Sequence, residues 1–93
     1  MSDITVTELG DLRYGVQISE GKSASSSHTV TVPQELLDDL QLTEADASRL
    51  VWESFQFLLE REKPTEILRE FSLDEIERYF PGYRSEILPR VTA

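Results

Sequence analysis

The sequence predicts an α+β fold: a small three-stranded antiparallel meander packed against one long helix and several short ones. Three observations lead to it. Apolar and polar residues alternate with a period of two through the first third of the 93-residue chain, the pattern of strands that bury one face. Beyond Pro33 the apolar residues recur at spacings of three and four, the helical period. Strands precede helices without interleaving, which points to segregated layers rather than a parallel α/β sheet. A chain of this length suits one domain, residues 1–93.

Strand one is expected over residues 3–8, where Ile4 and Val6 alternate with Thr5 and Thr7. Strand two covers 12–19, with Leu12, Tyr14, Val16 and Ile18 on one face. Gly10 and Asp11 between them have turn chemistry, so a tight hairpin joins the two. Residues 20–27, with four serines and little to bury, are expected to be a mobile loop. Strand three, 28–32, sends Val30 and Val32 to the core and ends at Pro33, which cannot donate to a ladder. Pro33 suits the first turn of a helix over 33–40 whose stripe is Leu36, Leu37 and Leu40. Thr43 to Asp46 has the spacing of a capping box and opens the main helix, 44–62, with Ala47, Leu50, Val51, Phe55, Leu58 and Leu59 inward and Trp52 and Phe57 widening the arc. Lys63-Pro64 ends it. Ile67, Leu68 and Phe71 suggest a short helix over 65–71. Ser72 to Glu75 is a second capping box and starts another over 73–80. Pro81-Gly82 breaks that one, and one more turn over 83–88 is expected before Pro89 and a frayed end.

Composition narrows the function. Eighteen acids against nine bases leave a net charge of −9, which repels nucleic acid and anionic lipid over most of the surface. The acids are concentrated early, ten against three bases over residues 1–59 and eight against six over 60–93. With no cysteine and one histidine, neither a disulfide framework nor a zinc site of ordinary composition is expected, and no metal or cofactor is assigned. No apolar run reaches the length of a membrane span, and the acidic amino terminus lacks a secretory pattern, so a cytoplasmic address and no membrane partner are expected.

Candidate chemistry is sparse. His28 follows Ser25, Ser26 and Ser27, but adjacent strand residues point to opposite faces, and an exposed strand-edge histidine is the expected state. Glu35, Asp38, Asp39, Asp74, Glu75 and Glu77 fall on solvated helix faces by periodicity. The aromatic residues read as core, with one exception. Arg78, Tyr79, Tyr83 and Arg84 set amphipathic aromatics between arginines, the composition enriched at protein interfaces, and they are the expected partner-binding residues.

His28-Thr29-Val30-Thr31-Val32-Pro33 followed by the leucine-rich turn 34–40 and a capped amphipathic helix resembles the strand, helix, helix order of ribbon-helix-helix regulators and antitoxins, over residues 27–61. The resemblance implies a dimer paired through strand three whose outward residues read the major groove, here Thr29 and Thr31 with His28 beside them. Those residues lack the Arg, Lys, Asn or Gln that read base edges, and their flanks are acidic. The leading expectation is therefore a non-enzymatic, acidic interaction module whose partner is another protein or a second copy. A DNA-binding regulator is the alternative.

Overall fold

Alternation in the first third of the chain brings inward residues of neighbouring strands side by side. The computed structural model describes residues 2–20 and 24–92. In it β1 (Ser2–Gly10), β2 (Arg13–Glu20) and β3 (Ala24–Thr31) pair antiparallel in order. Ile4 stands opposite Ile18, Val6 opposite Val16, Tyr14 opposite Val30 and Val16 opposite His28. Tyr14, Val16 and Ile18 of β2 and His28 and Val30 of β3 are buried, while Ile4 and Val6 on the edge strand are half-buried.

A fourth strand changes the expected meander into a mixed sheet. β4 (Glu70–Ser72) lies parallel to β3 with Phe71 opposite Val30, so the order is β1-β2-β3-β4. Residues 65–71, expected to be helical, instead make one 3₁₀ turn (Pro64–Glu66) and then run extended. The edge of β3 explains the difference. Thr29 N–H donates to the Arg69 carbonyl at 2.7 Å, and an extended chain satisfies that edge while burying Ile67 and Phe71 and turning Leu68 out to 53% exposure. Ser25 to Ser27, expected in a mobile loop, belong to β3 and pair with Gln17 to Ser19 on β2; residues 21–23 of that loop lie outside the described residues.

The first hairpin turns one residue later than expected. Gly10 pairs with Arg13 after a register shift at Leu9, leaving Asp11 and Leu12 as the loop with φ of 53° and 58°. Positive φ at both central positions matches the twist of the flanking strands, although it costs a leucine about 1–2 kcal/mol. Leu12 therefore sits in the turn rather than in the strand, its side chain half-buried against the core, and its carbonyl accepts from Val32 N–H at 2.8 Å. The extra residue, Leu9, lies over Gly15, where an added Cβ would be 3.7 Å from its nearest methyl.

Helices close the inner face. α1 (Gln34–Leu40) buries Leu36, Leu37 and Leu40 and ends on Gln41 in the left-handed region. Thr43 N–H donates to the Asp46 carboxylate at 3.0 Å, opening a 3₁₀ turn that runs into α2 (Ala47–Leu59). Leu50, Val51, Phe55 and Leu58 form the buried stripe of α2, but Trp52 falls outside it and is 38% exposed. α3 (Ile76–Tyr79) follows a 3₁₀ turn whose start is fixed by Ser72 N–H donating to Glu75 at 2.8 Å. α4 (Tyr83–Thr92) is longer than the single turn expected and passes through Pro89. Its inner stripe, Tyr83, Ile87 and Val91, is buried, and that burial offsets the helix bond which proline removes.

Candidate functional site

The four residues expected to form one contact surface do not lie together. Tyr83 is 0% exposed, and its hydroxyl shares a 2.6 Å hydrogen bond with the buried Ser54 of α2. Burial pushes that hydroxyl's pKa up, with the Ser54 hydrogen bond working against the shift. Arg84 reaches Asp39 of α1 at 3.1 Å and also pairs with Glu77, tying three helices instead of waiting for a partner. Its hydrogen bond to Asp39 is the first cause of its raised pKa. Arg78 is exposed and Tyr79 is 69% exposed, so half of the expected surface remains. The stripe Tyr83, Ile87, Val91, at spacings of four, is the sequence signal that places Tyr83 inside.

His28 is not an exposed strand-edge residue; it is 4% exposed. The alternation that sends Val30 and Val32 inward sends His28 with them. Its Nδ1 is 2.7 Å from the Leu68 carbonyl and its Nε2 is 2.9 Å from Ser26 Oγ. A carbonyl only accepts, so Nδ1 carries the proton in the neutral ring and Ser26 donates to Nε2. Ser26 and His28, two apart, share a face, unlike adjacent strand neighbours. The ring also packs on Phe55, with centroids 5.5 Å apart. This histidine joins β3 to the segment before β4, and its place in the core removes it from any groove-reading surface. Thr29 and Thr31 do lie on the outer face, but there β3 is already paired to β2 on one side and β4 on the other.

Where the expected patch dissolves, a cleft takes its place. It lies among the carboxyl end of α2, the Pro64 turn, β4 and α3, and its volume is about 430 Å³. Leu58, Ile67, Leu68, Phe71, Tyr79 and Phe80 supply apolar walls, and Glu62, Glu66 and Glu75 add three carboxylates. Each element contributes for a local reason. Pro64 stops the helical path, and Glu66 accepts from Lys63 N–H at 2.8 Å, which fixes the turn. The extended run to β4 turns Ile67 and Phe71 into the core and leaves Leu68 at the cleft. Glu75, held on Ser72 N–H, brings α3 across with Tyr79 projecting.

Charge in the cleft is one-sided. The Glu62 carboxylate accepts no hydrogen bond among the described residues, and burial, followed by repulsion from Glu66, pushes its pKa up. The nearby arginines are engaged elsewhere. Arg61 stacks 3.7 Å above the centre of the Phe57 ring and pairs with Glu86 at 2.6 Å. Arg90 makes a two-pronged contact with Glu60, both bonds 2.9 Å, and that hydrogen bonding holds the Glu60 carboxyl below its usual range.

Among the described residues no group of three or more His, Asp or Glu side chains is placed to hold a metal ion, and no helix is long and apolar enough to cross a membrane. No family model matches the chain, and neither curated proteins nor solved structures give a match. The cleft residues were legible in part: Tyr79 was expected at the surface, while Glu62, Glu66 and Leu68 converge with it only because residues 67–72 run extended.

Proposed function

We propose that the protein is a non-enzymatic interaction module whose cleft takes a short segment of another protein, one that carries an aliphatic or aromatic anchor beside Lys or Arg. The observation that carries this reading is the union of an apolar floor with three carboxylates at the same opening. An apolar anchor inserted among Leu68, Phe71 and Tyr79 gains about 25 cal/mol for each Å² removed from water. A neighbouring cation meets Glu62, whose charge is disfavoured while it stands alone and is stabilised by a positive partner. The net charge of −9 favours encounter with a basic segment and opposes nucleic acid. Groove reading by a ribbon at β3 has less support, because both sides of that strand are occupied at Thr29 to Thr31.

Selection from a displayed random-peptide library, followed by titration of the enriched peptide into isotope-labelled protein, tests the reading. Enriched peptides are expected to pair Lys or Arg with an apolar anchor, to shift the amides of Glu62, Leu68, Phe71 and Tyr79, and to bind less tightly as salt is raised. Leu68→Asp or Tyr79→Ala should weaken binding about tenfold. Shifts that lie outside the cleft, with affinity unchanged in both variants, would refute it.

A further inference from the structure

We propose that two copies of this chain associate through β1, antiparallel and edge to edge, about a two-fold axis at Thr5. This surface is separate from the cleft, which lies at the far side of the sheet beside β4.

β1 is the long open edge of the sheet. It runs nine residues, Ser2–Gly10, and among the described residues pairs with β2 alone. Natural edges are usually blunted by lysine, proline or brevity, and this stretch has none of the three. The register of β1 against β2 is regular from Ser2 to Glu8 and shifts only at Leu9. Thr5 is the midpoint of that regular stretch.

Symmetry then selects the pairing. In an antiparallel homodimer, residues facing each other must point to the same side of the sheet, so the two-fold passes through a residue rather than between two. Centred on Thr5, the pairing places Ile4 opposite Val6 of the second copy. Both are half-buried now, and both lie on the face that carries the core. On the outer face Asp3 meets Thr7 of the second copy, and on the core-bearing face Glu8 falls beyond the apolar pairs, opposite position 2, so no acid opposes an acid. Centred on Val6, the pairing would set Ile4 against Glu8 and run into the shift at Leu9. The Thr5 axis is the one that matches apolar with apolar and separates the carboxylates.

Trp52 points to the same edge. It is the only tryptophan and lines a shallow depression with Val6, Ser48, Arg49 and Glu53. A second β1 strand would extend the floor of that depression across the axis, covering the exposed indole of each copy with Ile4 and Val6 of the other.

Cysteine scanning in this cysteine-free chain, with sedimentation of the unmodified protein, tests the proposal. The protein should show a reversible monomer–dimer equilibrium that tightens with salt, because two copies of like charge repel. Trp52 emission should move to the blue with the same concentration dependence. Thr5→Cys, at the axis, should form a disulfide-linked dimer in oxidising buffer, whereas Thr7→Cys, facing Asp3, should not. Thr5→Glu, on an exposed position, should weaken the dimer about fivefold by setting like charges opposite one another. A monomer at every concentration, or equal cross-linking of Thr5→Cys and Thr7→Cys, would overturn the proposal.

Discussion

Along its first half α2 lies against β1, where Ile4 and Val6 stay half-buried and Trp52 is partly exposed. Along its second half it meets α4, and almost every polar and aromatic group there is matched. Phe57 is flanked edge-on by Phe80 at 5.8 Å and Tyr83 at 5.4 Å, with Arg61 over its face. Ser54 and Tyr83 satisfy one another in the core. The difference lies in how arginine is spent. Around the second half, Arg61, Arg84 and Arg90 hold Glu60, Glu77, Glu86 and Asp39, and among the described residues no cation pairs with the cleft carboxylates beyond them. Around the first half, Arg49 pairs with Glu53 at 3.7 Å and donates to the Arg90 carbonyl at 3.3 Å, and no cation reaches the edge strand beside it among the described residues.

Breaking the matched half should have the largest effect. Tyr83→Ala is expected to cost about 3–5 kcal/mol, because it empties a fully buried site and strands the Ser54 hydroxyl; the urea midpoint measures it. His28→Ala should follow at about 2–3 kcal/mol, since it leaves the Leu68 carbonyl and Ser26 unpartnered, and it should speed amide exchange selectively in β4. A uniform loss of protection instead would mean that His28 does not tie β4 to the sheet. Arg90→Gln removes a solvent-facing pair and should cost less than about 1 kcal/mol. Tyr79→Ala, at the unmatched cleft, should leave stability within about 0.5 kcal/mol.

Titration sharpens the comparison through sign. The Glu62 carboxyl is pushed up in the folded protein, so between its ordinary pKa and the raised one the folded state holds more protons than the unfolded state. Its contribution therefore makes stability fall as pH rises through that window. Glu60 is pushed down by Arg90, so its contribution is present above the ordinary pKa and is lost as pH falls through the depressed one. Urea midpoints across mildly acidic pH should lose the first slope in Glu62→Gln and the second in Glu60→Gln. Retention of the slope in Glu62→Gln would show that other groups produce it and that the cleft does not raise the Glu62 carboxyl.

The strands were legible because period two assigns each side chain a face, and the two main helices because leucine and phenylalanine recur at three and four. β4 was not legible. Ile67, Leu68 and Phe71 have helical spacing, and a three-residue strand is too short to show alternation. Its partner, Thr29 to Thr31, lies forty-one residues away in the register Thr29 to Glu70, a pairing that no local pattern encodes. Arg84 and Tyr83 were misplaced for a related reason: an interface and a well-packed core use the same aromatic and arginine side chains, and only the four-residue stripe of α4 tells them apart.

The two borders of the sheet differ in what they permit. β4 offers three residues, and the Ser72 N–H is already taken by Glu75; β1 offers seven regular residues before Leu9 disrupts the ladder. A particle with one usable border has no second one from which to grow, so the proposed strand addition would stop at a pair rather than propagate into a fibre.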